Sequence, residues 1–518
     1  MKNEATAPAK SGNSLNRAKM YQLILFPFNN GATNVYYILT MNYIMYHATG
    51  VLGLVVAFAT SMVTIMRGLD AFIDPVIGML IDRTSGKFGK FRPFMVIGNC
   101  IMIVSSLIMF FGTRIIPADM MWLRYVAYTV IYLLFMIGYT FQTSCTRSGQ
   151  TCITNDPKQR PTFTIFNTIA SLVGMGLIQV VASVIGAQVG YGSKEFFNIL
   201  IPMSIILSAV LTVLALIGIW EKDRPEFYGV GAQKKEKVKV KEYAKILKGN
   251  HELQMLMVAG AGTKLAFAIA TNTAVGCLLF GSMMGDYGGL FLPFYVIGYV
   301  FSVPFFLGGL KLSQKHGQKH TLVTFTGLAF LMYIGVLVLL LMWQPAGANV
   351  LSLRNINLYT ILFIIFYGIG YGAYYSTADM SIPMVADCSD YETYRSGNYI
   401  PGVIGTLFSL VDKLVSALST TIVGAAVTVV GLTTLPDANT PYVDGMKGLT
   451  IVLFCVVPMI AWAATLIAMR SYHLTGKRME EIQAVNAVRK DAVNNGMPLE
   501  EAMNKWTTID QVPQEFRH

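Results

Sequence analysis

Asp70 and Asp74 stand four residues apart in an otherwise apolar stretch, with Arg67 one helical turn before them. In a helix, residues i and i+4 share a face, so the two carboxylates point the same way. If the stretch crosses a bilayer, counting inward from Asp82 puts Asp74 roughly 12 Å deep and Asp70 roughly 18 Å deep. A hydrocarbon core is about 30 Å thick, so the pair brackets its middle. Acids at that depth either bind a small cation or hold a proton. The plainer alternative is an ion pair between Arg67 and one acid, with the second protonated. Lys413, beyond Pro401 in another apolar stretch, lies roughly 18 Å deep by the same count. A lone ammonium there gives up its proton or seeks an acid from another part of the chain. Asp412 is its neighbour in sequence but points about 100° away, so it is not the expected partner. Arg147, Lys264 and Asp379 complete the set of charges inside apolar stretches, balanced between acids and bases. Each costs at least about 2.5–3.5 kcal/mol on insertion, so mutual pairing around a cavity is expected. Lys264 and Asp379 are candidates to pair with each other.

Polar stripes surround these charges. Asn29, Asn30, Thr33, Asn34 and Tyr37 lie in one apolar stretch, and Tyr139, Thr140, Gln142, Thr143 and Arg147 in another. Spacings such as Asn30/Asn34 and Thr140/Thr143/Arg147 line single helical faces. Any one of these residues is explained by helix–helix hydrogen bonding, whereas two stripes together favour a polar cavity. Enzyme constellations are missing: there is no phosphate-binding Gly-rich loop ending in Lys-Ser/Thr, no HExxH and no GxSxG. The six cysteines occur singly, without zinc-ligand spacing, so no structural metal is expected.

The elements that must position these groups are legible from composition. Of 518 residues, 54% are hydrophobic and 13% charged, and the mean hydropathy is +0.53. A soluble chain carries about 25% charged residues. Such scarcity is tolerated in lipid, and spans of about 20 apolar residues must be helical there. We read twelve spans, at roughly 21–47, 53–81, 93–112, 122–150, 163–188, 197–219, 253–280, 289–310, 320–342, 356–386, 400–432 and 448–470. They form an all-α membrane protein of two six-helix bundles, 21–220 and 251–470, joined by a basic loop at 221–250. A polar segment, 1–20, precedes them, and a tail from 471 to 518 carries helical periodicity around Met479, Ile482 and Val485.

The net charge of +11 follows topology. Most of the 39 Lys and Arg fall in alternate segments, including both termini and the central loop; Arg114, Arg124, Lys194, Arg354 and Lys447 fall in the intervening loops. That bias places both termini in the cytoplasm and the chain in the plasma (inner) membrane. It also removes nucleic acid as the reason for the charge. The first twenty residues hold no apolar core of a cleavable signal. A weak internal repeat links Gly78–Pro93, after the second span, with Gly308–His320, after the eighth. Parallel repeats around a site near the midplane are a transporter architecture.

The run Arg67-Gly68-Leu69-Asp70-Ala71-Phe72-Ile73-Asp74-Pro75, followed by Gly89-Lys90-Phe91-Arg92-Pro93, closely resembles the glycoside–pentoside–hexuronide:cation symporters of the major facilitator superfamily. Met384-Val385-Ala386-Asp387, Asp390-Tyr391 and the segment around Lys413 match the same family. The resemblance implies that Asp70 and Asp74 bind the coupling cation, that Thr140 adds a ligand, and that Lys413 links cation and sugar sites. It implies a cytoplasmic gate motif at Gly78, Asp82, Arg83 and Lys90. Departures are informative: Ile73 stands where the melibiose carrier has an Asn, removing an oxygen ligand for Na+. Asn34, Thr143, Arg147 and Asn167 stand where that carrier has two sugar-binding aspartates, a tryptophan and an arginine. A site so rebuilt, more cationic and less acidic, would suit an anionic glycoside such as a hexuronide.

The expected protein is therefore a secondary active transporter. It is a functional monomer without cofactor, moving a sugar or glycoside with H+ or Na+ by alternating access. Arg67, Lys264, Asp379 and Lys413 supply the coupling charges. The competing expectation is a carrier of a lipid-like or other anionic small molecule on the same fold. A receptor would need a sensory domain larger than the loop and tail.

Overall fold

The computed structural model describes residues 17–84, 86–154, 159–224, 246–345, 347, 349–378, 380–397 and 401–516. Eleven helices among them are long and apolar enough to cross a membrane. The first expected span is wound in pieces instead. Met20–Leu25 is followed at Pro27 by α1 (Phe28–Ile38). Wider π turns at Leu39–Tyr43 and His47–Val51 then carry the chain across. The other helices of the first half are α2 (Val56–Arg83), α3 (Arg92–Phe110), α4 (Met121–Ile153), α5 (Arg160–Val189) and α6 (Lys194–Ile219). Those of the second half are α7 (His251–Ala270), α8 (Tyr287–His316), α9 (Gln318–Met342), α10 (Leu358–Thr377), α11 (Met384–Ser396), α12 (Pro401–Val429) and α13 (Val457–Arg470). The tail adds α14 (Lys477–Asn494) and α15 (Leu499–Lys505).

Two expected spans need correction. The seventh, read as 253–280, breaks at Thr271 and Asn272 and resumes as Thr273–Gly276 and a π turn at Cys277–Met283. Asn272 caps the restart, its side chain accepting from the Ala274 amide at 2.9 Å. The tenth, read as 356–386, ends at Thr377; after a turn, α11 starts behind Pro383. Pro383 stands at the N-terminal boundary of α11, where its missing N–H leaves no helix bond unmade.

Apolar side chains such as Ile206, Val300, Leu307 and Ile467 face outward and are exposed, as a lipid-facing surface requires. Within each half the helices pack on one another, while α2 against α12 and α5 against α8 join the halves. Small residues allow the α2–α12 approach: a Cβ on Gly424 would fall 2.4 Å from Thr60 Oγ1. On the side away from the chain termini the halves are hydrogen-bonded together. Tyr46 donates to the Pro436 carbonyl at 2.5 Å, the Tyr191 and Tyr287 hydroxyls bond each other, and the Thr64 and Thr421 hydroxyls are 2.7 Å apart. That side is closed.

Candidate cation and substrate site

Helix α2 runs unbroken past Pro75 and carries Asp70 and Asp74 to its middle. Asp70 is fully buried. Its carboxylate accepts a hydrogen bond from the Thr140 hydroxyl of α4 and lies 3.9 Å from Arg67. The Arg67 guanidinium is buried and sits between two rings, 5.0 Å from the Tyr37 centroid and 4.8 Å from that of Tyr139. Stacking on aromatic faces supplies attraction to a cation that has little water left.

Lys413 decides the character of the site. Its ammonium projects from α12, in the second half, and lies 2.8 Å from Asp70 Oδ2 and 2.5 Å from Asp74 Oδ2. A single positive charge thus sits between two carboxylates of the opposite half. Asp74 is the more open of the pair, with 18% of its side chain exposed, and Arg147 approaches it at 3.4 Å. Arg147 itself is 57% exposed, so its charge stays largely hydrated. Arg67 pairs with Asp70 alone, while Lys413 meets both acids.

Among the described residues a second intramembrane pair forms. Lys264 lies 3.8 Å from Asp412, which confirms that Asp412 faces away from Lys413. Asp379 lies outside the described residues, as do the side chains of Asp82 and Arg83. Of the gate motif, Gly78 lies within α2. The Lys90 amide, with those of Phe91 and Arg92, donates to the buried carboxylate of Asp223 at 2.8–3.2 Å. Asp223 therefore caps the N-terminus of α3. It falls within the basic loop expected at 221–250, where an acid three residues past Trp220 carries little signal of its own.

The expected substrate residues separate into two kinds. Asn34 turns back on its own helix, donating to the Asn30 carbonyl at 2.8 Å, and Thr143 bonds the Tyr139 carbonyl at 3.0 Å. Asn30 reaches the Asn167 carbonyl at 3.5 Å, while the Asn167 side-chain oxygen is buried without a hydrogen-bond partner among the described residues. These residues lie on the terminal side of the charged layer, with Arg147. Asn29 and Gln142 serve packing: Gln142 donates to Asn29 at 3.1 Å and to Thr212 at 2.7 Å, knitting three helices. A cavity on the far side of the charges was not anticipated. Tyr37, Asn42, Gln179, Asn272, Tyr299 and Tyr375 are among its walls. Single amides inside apolar spans, Asn42 and Gln179 above all, were the overlooked signal.

On this fold a basic side chain from one helical half lies between paired acids of the other. Residues 28–476 match the family model described as MFS/sugar transport protein. The chain belongs to that family. The putative glycoside/cation symporter YagG of Escherichia coli is 24% identical over 465 residues, covering 89% of this chain and 93% of that protein. The lactose permease of Leuconostoc lactis is 23% identical, covering 90% of this chain and 71% of its own. The glucuronide carrier protein homolog of Escherichia coli is 23% identical, covering 89% and 94%. Those names fit the glycoside–pentoside–hexuronide:cation resemblance. Among solved structures, the nucleoside transporter NupG aligns with a TM-score of 0.54 at 12% identity, covering 88% of this chain and all of that one. An outward-facing bacterial homologue of the iron transporter ferroportin gives 0.55 at 13% identity, covering 87% and 98%. They share the major facilitator fold. The protein is a multi-pass membrane protein of this transporter family.

Proposed function

We propose that the protein is a cation-coupled symporter of a sugar or glycoside, with both termini in the cytoplasm. The observation that carries this reading is the Lys413 ammonium between Asp70 and Asp74. An incoming Na+ or H+ competes with Lys413 for the same two carboxylates. Loading therefore releases the ammonium, and with it a tie between the two halves at the level of the charges. A ligand shifts a conformational equilibrium only by its differential affinity for the states, and the contest with Lys413 supplies that difference. Thr140 orients Asp70, and Arg67 keeps the acid layer near neutrality when the cation leaves. The named relatives support a sugar as the second ligand.

The test is uptake of a labelled glycoside into vesicles under imposed Na+ or pH gradients. Asp70→Asn and Asp74→Asn abolish uphill accumulation on this reading, while downhill exchange persists. Unchanged accumulation in both variants would sink it.

A further inference from the structure

The charged layer leaves unexplained the cavity on its far side. Ser419 and Thr420 line that cavity. They stand six and seven residues beyond Lys413 on α12, about 10 Å along a helix axis. Among the described residues, its walls hold no acidic, basic or histidine side chain. They hold instead the two ingredients that recognise a hydroxylated ring. One is aromatic surface: the Tyr295, Tyr299 and Tyr375 hydroxyls form a chain at 2.9 and 3.0 Å, with their rings turned to the same space. The other is amide chemistry. Gln179 is 2% exposed; its side-chain oxygen accepts from Asn42 at 3.4 Å and its side chain also adjoins the Tyr43 hydroxyl. Such an amide brings both a donor and an acceptor to the cavity wall.

Placement strengthens the case. The α7 break at Thr271 and Asn272 opens onto this cavity, and broken helices at depth are where transporters build binding sites. Tyr37 is a shared wall: one face of its ring meets Arg67 of the charged layer, and the residue also lines the cavity. We propose that this cavity is a subsite for an uncharged hexopyranosyl ring, with Gln179, Tyr299 and Tyr375 determining its specificity. The inference rests on the sugar-transport reading above and narrows it. Tyrosine rings offer apolar faces to the C–H side of the sugar while hydroxyls and amides pair with its O–H groups. A hexuronate carboxylate in the same place would meet no basic side chain in the cavity wall; Arg67 and Lys264 lie behind Tyr37 and are already paired with Asp70 and Asp412, so the buried charge would stay poorly compensated. The cationic Arg147 lies in the exposed layer on the other side of the acids, so it does not compensate that charge either.

The test is titration of the full-length protein in lipid nanodiscs with p-nitrophenyl galactoside, p-nitrophenyl glucoside and p-nitrophenyl glucuronide. At least one neutral glycoside is expected to bind about tenfold or more tighter than the glucuronide. Gln179→Ala and the milder Tyr299→Phe, which removes only a hydroxyl, are expected to weaken that neutral ligand roughly three- to tenfold and to narrow its advantage. Preference for the glucuronide, or undiminished affinity in both variants, overturns the subsite and leaves sugar transport standing. Failure of the wild-type protein to bind any of the three overturns both readings.

Discussion

A lysine held between a fully buried aspartate and a half-buried one is favourable only because each group satisfies the others. Asp70 is fully buried and Lys413 is 8% exposed, so neither can fall back on water. Removing one member of a buried charge cluster typically costs about 3–5 kcal/mol, because the uncompensated charge remains. Lys413→Met leaves two carboxylates facing each other. Its unfolding temperature is expected to drop sharply in cation-free buffer and to recover more than the wild type on adding the coupling cation. Thermal unfolding of the purified variant in Na+-containing and Na+-free buffers at two pH values checks this. Stability unchanged by the substitution would show that the ammonium does not neutralise the pair. Arg67 acts differently, since its two stacked rings make it a fixture of the wall rather than a competitor for the cation.

At the scale of elements, α11 and the tail form a folded unit that hydropathy did not announce. Arg489 of α14 is buried and donates to the Tyr394 carbonyl at 2.7 Å and the Trp506 carbonyl at 2.9 Å, tying α11, α14 and the end of α15 together. Asn486 donates to the Asp390 carbonyl at 2.8 Å. The amphipathic tail helix was legible from Met479, Ile482 and Val485, but its docking surface was not, because α11 lies almost wholly beyond the tenth expected span, 356–386, with no apolar run of its own. Packing there has a pH signature. Burial, and then the neighbouring Asp390 carboxylate, push Asp387 up from 3.8 to about 6. The neutral acid is the form the fold prefers, so its stabilising contribution is complete below pH about 4 and is lost as pH rises through about 6. Asp387→Asn is expected to flatten the melting temperature across that window and to raise it at neutral pH. A pH series of melting curves on both proteins decides; parallel curves would place the sensitivity elsewhere.

For the whole molecule, the contact between α2 and α12 couples the site to the closed side. Thr64 and Thr421 touch on that contact, and the Thr64 hydroxyl also reaches the Ala417 carbonyl at 2.9 Å. If alternating access parts these helices, Thr64→Cys with Thr421→Cys will arrest uptake when oxidised and release it when reduced. Full uptake after complete crosslinking would mean that transport does not need this seam to open. Much of this architecture was already determined by the sequence alone. Hydrophobic runs without charge admit no solvent but lipid and no backbone there but helix. Intramembrane charges had to be paired, and the i, i+4 spacing of Asp70 and Asp74 put them on one face. What periodicity along a chain leaves open is which faces meet. That Lys413 rather than Arg67 bridges the acids, that Lys264 lies beside Asp412, and that Asn42, Gln179 and Tyr375 share a cavity were decided by the tertiary structure. Contacts between residues more than a hundred positions apart depend on how helices are rotated and where they break, and those follow from the packing of all of them together.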